Sequence, residues 1–572
     1  MPFYHTIVCV DKKYGIAKTE LNKSFIPWYY KDEYLDVKKQ DLLFFKKMTV
    51  GHTIIMGKNT YNEIGALPGR ENIIISSSLL SENSSVENNQ IIENNKIIQS
   101  IKFFKTPLDA IRYLNNRKYE HIFIIGGEKI YNWFISKKFV SLEFITTINN
   151  DFGCDLFYNN KHELKNNQRT LYKKYSLKEF KNISGENNCI NNDNNFTNDN
   201  NCINNDNNFI NNDNNCINND NFINNDNCIN NDNFINNDNC IDNDNCINKI
   251  INKLDNILYE LDDLDENNNN NKIDEKCRVK VYKNINDEEN DVLNTFNFVL
   301  MSNEKPDRTG IGTLSSFGHT LYFSLNNNTF PLITTRNIWL KGLFEEFMLY
   351  LRGQTNSKIL EAKGVNVWKG NTTRDFLDKR GLQHLPEGDM GSSYGFLFRH
   401  FGAKYIDCNT DYKGQGFDQL EWLINEIKTN PDSRRLIINL WDPSQINNMA
   451  LPPCLYQYQF YVNNNTISCM ATQRSSDIMT ALGWNIAQIS LFTILLGSIC
   501  NLKPKYIIWN GADVHIYNNL IDQAKKQIKR SPYLFPKLYI KNIKKNITDY
   551  EFDDLELINY TPHSKIDVIM NV

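Results

Sequence analysis

A tandem repeat rich in asparagine and aspartate divides the chain between about residues 182 and 248. Its units, INNDNC alternating with INNDNF, carry one or two apolar residues each and no glycine. So few apolar side chains bury too little surface to offset the conformational entropy lost on ordering the backbone. We therefore interpret the repeat as a disordered linker with solvated aspartates, and not as a calcium-binding solenoid.

The repeat implies two globular segments, because a chain of 572 residues exceeds what one compact core holds. We place the first segment at residues 1–181, the linker at 182–279 and the last segment at 280–572. Within the linker, an amphipathic helix is predicted over 248–265. Its apolar face would consist of Ile250, Ile251, Leu254, Ile257, Leu258 and Leu261. This helix either docks on a domain or a second subunit, or has no partner.

Composition argues against several classes of function. The net charge of −4 and the pI of about 6.2 argue against a general binder of nucleic acid. The N-terminal residues lack a signal-peptide pattern, and polar residues interrupt the longest apolar run, at 486–499. Six of the 13 cysteines lie in the repeat, and the others form no CxxC pair. We expect a cytoplasmic protein with no metal, no membrane partner and no obligatory nucleic acid.

The first segment alternates strand-like and helical patterns. Its nearly continuous apolar runs are HTIVCV, HTIIMG, NIIIS, HIFIIGG and LEFITTI, and its helical stretches include DLLFFKKMT and PLDAIRYLNN. Strands that are apolar on both faces and joined by helices predict an α/β domain with a mostly parallel sheet. The last segment is richer in tryptophan, arginine and proline, and we predict a mixed α+β domain there.

The last segment carries a candidate nucleophile, Cys454, directly after two prolines and before a strand-like run. A thiol is nucleophilic as its thiolate, which needs positive charge or hydrogen-bond donors nearby. Loops in the same segment contain Arg308, Arg434, Arg435 and Arg474, whose planar guanidinium groups suit phosphate oxygens. Taken singly, such a cysteine is more often a core residue, and such an arginine is more often solvated.

Longer strings place these residues in a family. PDRTGIGTLSSFG, TFPLITTR, EEFMLYLRGQTN, YGFLFRHFGA, DQLEWLINEIKTNPDSRR and GADVHIYNN closely resemble thymidylate synthase, over about the last 290 residues. The resemblance implies that Cys454 attacks dUMP, that methylenetetrahydrofolate is the co-substrate, and that the protein is a homodimer. It also implies catalytic roles for Glu346, Tyr394 and Asn485. The dUMP-binding residues would be Arg308, Arg434, Arg435, Arg474, Ser475, Asp477, Asn485, His515 and Tyr517, with Arg434 and Arg435 from the second subunit. The folate-binding residues would be Trp368, Asn371, Asp477, Trp484 and Val572.

Several positions depart from the family pattern. Leu455 stands where a histidine usually follows the nucleophile, and Phe398 stands where a tryptophan is usual. The stretch ALGW precedes Asn485 in place of Gly-Val-Pro-Phe, which gives the pattern W-N-x-x-Q with Gln488. The related dCMP hydroxymethylases use aspartate at the position of Asn485, whereas an amide offers the donor and the acceptor that uracil needs. We interpret this half as a variant synthase.

In the first segment, Asp41 and Phe45 are four residues apart on a predicted helix and share a face. A carboxylate beside aromatic residues suits a cationic ring, although capping a helix is the commoner role of such an aspartate. Gly126 and Gly127 follow a buried strand and open a helix, which suits a pyrophosphate. IVCVDKKYGIAK, IIMGKNTYNEIGALPGRENIIIS, IFIIGGEKIY and FITTINNDFGCDLF resemble dihydrofolate reductase in order and spacing.

This second resemblance implies reduction of dihydrofolate by NADPH, with Asp41 as a catalytic residue. The dihydrofolate-binding residues would be Ile7, Val8, Cys9, Asp41, Phe45, Ile64, Arg70 and Thr146. The NADPH-binding residues would be Ala17, Lys58, Asn59, Thr60, Ser76, Ser77, Gly126, Gly127 and Tyr131. Two features depart from the pattern: about seven extra residues separate Trp28 from Asp41, and Ala17 replaces the second glycine of Gly-Ile-Gly.

The two implied activities form a pair, because the synthase releases the dihydrofolate that the reductase consumes. Three alternatives stay open at this point. The reductase-like domain is an inactive scaffold, the protein regulates an RNA by binding it, or the linker binds a partner.

Overall fold

The computed structural model describes residues 2–20, 23–77, 89–93, 96–115, 117, 120–158, 169–176 and 277–571. The chain divides into two compact units, Met1–Ile285 and Asn286–Val572. The repeat and the helix predicted at 248–265 lie outside the described residues.

The first unit is an α/β domain, as predicted, with a nine-stranded sheet in the order β11-β12-β9-β1-β8-β4-β5-β7-β6. A small sheet has the order β10-β2-β3. The strands are β1 (Phe3–Val10), β2 (Gly15–Glu20), β3 (Lys23–Phe25), β4 (Thr53–Gly57), β5 (Glu71–Ile75), β6 (Asn89–Glu93), β7 (Lys96–Phe104), β8 (His121–Gly126), β9 (Val140–Ile148), β10 (Leu156–Phe157), β11 (Arg169–Ser176) and β12 (Cys277–Asn284). The helices are α1 (Leu35–Thr49), α2 (Lys58–Ile64), α3 (Pro107–Leu114) and α4 (Glu128–Ser136).

The six central strands, β9, β1, β8, β4, β5 and β7, pair in parallel. Their side chains are buried along continuous runs, such as 54–56 in β4 and 122–124 in β8. Continuous burial is expected where helices cover both faces of a parallel sheet. The carboxyl ends of β1, β4, β5 and β8 therefore meet at one edge, and the candidate site of this unit lies there.

Strand β12 follows the repeat in sequence and yet belongs to the first sheet. It pairs antiparallel with β9 on one side and with β11 on the other. Val279 and Val281 are fully buried. The strand crosses the domain boundary expected at residue 280, so the first unit extends to Ile285. Residues 177–276 thus connect two neighbouring strands of one sheet, and the repeat is an insertion in the first unit.

The second unit contains a six-stranded sheet in the order β13-β14-β18-β17-β16-β15 and a two-stranded sheet, β19-β20. Its described residues also form the eight α-helices α5 to α12. Only β17 and β18 pair in parallel among the strands described in the larger sheet. The elements are α5 (Asp287–Leu300), β13 (Glu304–Lys305), β14 (Thr313–Ser324), α6 (Leu340–Leu351), α7 (Lys358–Glu361), α8 (Arg374–Lys379), α9 (Tyr394–Arg399), α10 (Gln419–Thr429), β15 (Ile437–Asn439), β16 (Leu455–Asn463), β17 (Thr466–Asp477), α11 (Gly483–Ile499), β18 (Lys503–Tyr517), α12 (Ile521–Ile528), β19 (Lys537–Ile540) and β20 (Leu555–Ile558).

Helix α11 forms the centre of the second unit. Its residues are apolar around most of the helix, and nearly all of those from 486 to 497 are buried. Such a helix belongs inside a large core. Among the described residues, Ile478–Ile499 is the one stretch long and apolar enough for a membrane span by length and composition. It is mostly buried inside the protein, as the core helix of a large domain is.

We predict that β12 is required for the first unit to fold. A fragment of residues 1–181 leaves the edge of β9 unpaired and removes two buried valines. It should unfold at a much lower urea concentration than a fragment of residues 1–285. Replacing residues 177–276 by a six-residue turn should stabilise the longer fragment by about 2 kcal/mol, because a shorter loop costs less entropy to close.

The measurement is urea denaturation followed by circular dichroism. Equal midpoints for the 1–181 and 1–285 fragments would contradict the assignment of β12 to this unit.

Candidate active sites

Cys454 lies directly before β16, where two neighbours hold it in place. Its backbone N–H donates to the hydroxyl oxygen of Tyr394 at 2.9 Å. A guanidinium nitrogen of Arg474 lies 3.7 Å from its Sγ. The same guanidinium donates to the carbonyl oxygens of Pro452 and Pro453, both at 3.0 Å. The structure therefore brings together the cysteine and one of the predicted arginines.

The electrostatics at Cys454 combine two opposing effects. Burial raises the pKa of the thiol, and the positive charge of Arg474 lowers it. Arg474 is itself fixed, because its guanidinium carbon also lies 5.3 Å from the centre of the Trp441 ring. Burial is the larger effect and leaves the pKa of the thiol above its usual value, and the fixed cation is the group that favours the thiolate.

The parallel pairing of β17 with β18 brings several predicted dUMP residues together. Asp477 is directly opposite His515, whose ring centre lies 5.5 Å from that of Tyr517. Ser475 is two residues before Asp477 on the same strand. Arg308 is exposed on the loop before β14 and interacts electrostatically with Tyr517.

The remaining predicted residues of this set have different surroundings. Asn485 is half-buried on the first turn of α11. Asp477 accepts hydrogen bonds from the Met479 N–H and the Thr480 hydroxyl, and so begins the helical turn that leads into α11. Arg434 and Arg435 are exposed in the loop before β15, and no described contact joins them to Cys454.

Glu346 on α6 is buried and is surrounded by four donors. Its Oε1 accepts from the Tyr350 hydroxyl at 2.8 Å and from the Trp368 indole N–H at 2.9 Å. Its Oε2 accepts from the indole N–H of Trp484 and the side-chain amide of Gln488, both at 2.6 Å. Burial raises the pKa of this carboxyl above its usual value, and the four hydrogen bonds offset part of that rise.

A stacked pair of tyrosines links Glu346 to Cys454. The ring of Tyr350 stacks on that of Tyr394, with centres 4.7 Å apart and planes 15° apart. Tyr394 in turn accepts the hydrogen bond from Cys454. Asn371 is buried in the short helix Lys369–Thr372, and Val572 lies outside the described residues.

In the first unit, Asp41 lies on α1 and is buried. Burial raises the pKa of its carboxyl to about 6, while hydrogen bonds from Thr146, Cys9 and Tyr29 lower it. Cys9 and Thr146 are opposite each other on β1 and β9. The Tyr29 hydroxyl donates to Asp41 Oδ2 at 3.3 Å. A carboxyl that titrates near neutral pH is suited to proton transfer.

The other predicted folate residues lie on the same elements or close to them. Ile7 and Val8 are buried on β1, and Ile64 is half-buried at the end of α2. The Arg70 guanidinium lies 5.8 Å from the centre of the half-buried Phe45 ring. Arg70 is buried and donates to the Thr49 hydroxyl and the Pro68 carbonyl.

The predicted NADPH residues lie at the carboxyl ends of three parallel strands. Residues 58–60 follow β4, residues 76–77 follow β5, and Gly126 ends β8. Gly127 caps α4, and a Cβ built on either glycine would meet the Thr60 hydroxyl at 3.2–3.3 Å. Backbone without side chains at the start of a helix fits a pyrophosphate.

Two further predicted cofactor residues lie close by. Ala17 is half-buried on β2. The Tyr131 hydroxyl donates to the Ile7 carbonyl at 2.8 Å, so this tyrosine also ties α4 to β1.

Sequence reasoning did not assign roles to Tyr29, Tyr350 or Gln488, although all three bond a candidate catalytic carboxylate. Helical spacing could have indicated two of these residues, because Tyr350 is four residues after Glu346 and Gln488 is four residues after Trp484. For Tyr29 we find no such signal. It lies in the short helix Pro27–Tyr30, directly after Trp28.

Comparisons with known proteins agree with this division of the chain. The sequence profile of the thymidylate synthase family matches residues 293–572, and that of the dihydrofolate reductase family matches residues 32–185. A bifunctional dihydrofolate reductase-thymidylate synthase of Paramecium tetraurelia is 33% identical over 93% of this chain and 94% of its own length. The protein of the same name from Plasmodium berghei (strain Anka) is 34% identical over 90% of this chain and 82% of its own length.

A plant relative matches half of the chain more closely. Bifunctional dihydrofolate reductase-thymidylate synthase 2 of Arabidopsis thaliana is 48% identical over 47% of this chain and 48% of its own length. Both halves of the full-length relatives are present here in the same order. The chain belongs to the bifunctional dihydrofolate reductase–thymidylate synthase family.

Proposed function

We propose that the second unit converts dUMP to dTMP through a covalent adduct on Cys454, and that the first unit reduces the released dihydrofolate to tetrahydrofolate. The observation that carries the proposal is the contact of the Cys454 thiol with Arg474, beside the donors that surround Glu346. Methylenetetrahydrofolate supplies both the carbon and the reducing electrons, so the folate leaves as dihydrofolate. The first unit then restores the reduced folate.

Cys454 acts as the nucleophile because Arg474 offsets part of the cost of burying a thiolate. Its sulfur adds to carbon 6 of uracil, and the electron pair moves to carbon 5, which attacks the methylene carbon. Asn485 holds the uracil edge with its amide, and His515 and Tyr517 hold the deoxyribose hydroxyl. Glu346 organises water for the proton transfers, together with Tyr394.

The substrates are held by residues around this centre. Arg308, Arg474 and Ser475 bind the phosphate of dUMP, and Asp477 contacts both dUMP and the folate. Trp368, Asn371, Trp484 and Val572 position the folate.

The second unit functions as a homodimer in this proposal, and Arg434 and Arg435 of one copy reach the phosphate bound by the other. Both arginines are exposed in the single chain. Tyr322 and Met470 are each paired with Ile508 on β18, so the three side chains form a row on one face of the sheet. Tyr322 is 61% exposed and Met470 is 36% exposed. An apolar row on a sheet face that α11 does not cover suits a self-complementary interface.

The first unit binds dihydrofolate between β1 and α1, with Asp41 against the pterin and Arg70 near the glutamate carboxylate. NADPH, when bound, supplies a hydride to the pterin. The Asp41 carboxyl holds a proton next to the ring, and Tyr29 and Thr146 fix that carboxyl by hydrogen bonds. Gly126, Gly127, Thr60 and the residues that follow β5 hold the phosphates.

Cys454→Ser tests the synthase. Tritium release from dUMP labelled at carbon 5 should fall by more than about 10³-fold, because a serine hydroxyl beside Arg474 is not ionised at pH 7. Cys500→Ser, in the same unit at the end of α11, is the matched control and should release tritium at the wild-type rate. Equal release by Cys454→Ser and wild type would refute the covalent mechanism.

Asp41→Asn tests the reductase and should separate its activity from its stability. NADPH oxidation that depends on dihydrofolate should fall by about 10²-fold or more, because the proton-transfer group is lost. The folded carboxyl has a pKa of about 6, above its ordinary 3.8, so its ionisation costs the folded state free energy. That cost is absent below pH 4, grows up to about pH 6 and is complete at pH 7. The variant should therefore be more stable at pH 7, by about 3 kcal/mol.

The control for this experiment is Asp36→Asn, which removes an exposed carboxylate from the same helix. It should change neither the activity nor the stability substantially. If neither wild type nor Asp41→Asn oxidises NADPH with dihydrofolate, the first unit is an inactive scaffold.

Mixing two inactive variants tests the shared phosphate site. Cys454→Ser and the double variant Arg434→Ala/Arg435→Ala should each be inactive alone. After the subunits are exchanged at equal concentrations, half of the dimers are mixed. Each mixed dimer has one complete site, so about a quarter of the wild-type rate should return. Absence of recovery, with mixed dimers demonstrated by mass spectrometry, would place these arginines elsewhere.

A further inference from the structure

Helix α11 supplies two of the donors to Glu346, and both reach the same oxygen. Trp484 and Gln488 are one helical turn apart, so their side chains project from one face. Each places a nitrogen 2.6 Å from Oε2. Asn485, one residue after Trp484, is rotated by about 100° around the helix, which leaves its amide free of this cluster.

The two donors occur together with an apolar residue next to the nucleophile. Leu455 is buried at 2% exposure, directly after Cys454. A histidine is usual at this position in the synthases that the sequence resembles. The donors to Oε2 of the carboxylate come from α11 in this chain, and they are an indole and an amide, neither of which titrates near neutral pH.

We propose that Gln488 and Trp484 are positioning residues of the synthase, which hold Glu346 in its charged form and in one orientation. The inference rests on the proposed function and adds to it. The donors on Oε1, Tyr350 and Trp368, lie on α6 and the loop before Lys369, whereas those on Oε2 lie on α11. Glu346 is thus held from two helices and a loop, and its carboxylate cannot rotate without breaking bonds to both oxygens.

The groups around Glu346 do not titrate near neutral pH, so a change in its pKa can be measured separately from theirs. The titratable side chains that interact with it, within the described chain, are Tyr350, Tyr394 and Tyr458. Burial raises the pKa of each of these tyrosines far above neutrality. With no described cation in the cluster, uncharged donors are what favours the carboxylate over the neutral acid. Loss of one donor should raise the pKa of Glu346.

Gln488→Met tests the proposal, because methionine keeps the length of the side chain and removes the N–H donor. The measured quantity is the rate of dTMP formation by the full-length protein between pH 5 and pH 9. We expect the acidic limb of the profile to move to higher pH by about one unit, since a hydrogen bond to a charged group is lost. Binding of dUMP, measured by fluorescence quenching, should change less than about twofold, because Gln488 lies on Glu346 and not on the nucleotide residues.

Ser490→Ala is the matched control. Ser490 is buried on the same helix and donates to the Ile486 carbonyl, away from Glu346. Its pH profile should match that of the wild type.

A second variant keeps the test decisive if Gln488→Met does not fold. Gln488→Glu has the same shape and places another carboxyl against Oε2, so the acidic limb should move further in the same direction. A uniform loss of rate with no shift of the limb, in either variant, would show a structural role and overturn the inference. Failure of the wild type to form dTMP at any pH would instead refute the proposed function.

Discussion

Burial of carboxylates inside apolar cores is the constraint on which both sites depend. An isolated buried charge costs several kcal/mol, so each carboxylate must be surrounded by donors or remain protonated. Glu346 has four donors from two helices and a loop, whereas Asp41 has a hydroxyl, a thiol and a distant phenol. Burial raises the pKa of both carboxyls, that of Asp41 to about 6. Glu289, a third case, accepts from the backbone N–H groups of Thr334 and Thr335 and titrates near pH 7. The backbone donors to Glu289 tie α5 to the segment at 334–335.

The synthase site follows from how α11 is introduced into the core. Asp477 ends β17 and accepts hydrogen bonds from the turn that begins the helix, so strand and helix are fixed relative to each other. The helix is then buried along nearly its whole length. A polar residue in such a helix must find a partner, and Gln488 finds it in Glu346. The same burial that orders the core therefore positions the donors of the active site.

Local patterns in the sequence predicted most of the fold and part of the sites. Continuous apolar runs identified the central strands, because a strand that is buried on both faces has five or six apolar residues in succession. A cation near Cys454 was also expected, because a thiolate needs positive charge nearby. The donors on Oε2 of Glu346 were not predicted. The side chain that contacts a buried carboxylate is decided by packing between elements far apart in sequence. Strand β12 was missed for the same reason, as CRVKVYKN alternates polar and apolar residues without indicating which sheet it joins.

The position of the repeat follows from the topology of the first sheet. Strands β11 and β12 are the two outermost strands on one side of the sheet. An insertion between them therefore displaces no central strand. The entropy cost of closing a loop there grows only with the logarithm of its length. The register of β12 is nevertheless fixed, because Val279 is opposite Thr146, a residue that bonds Asp41. A shift by one residue would turn the buried valines outward. The reductase site therefore depends on a strand that the ribosome makes only after the whole repeat.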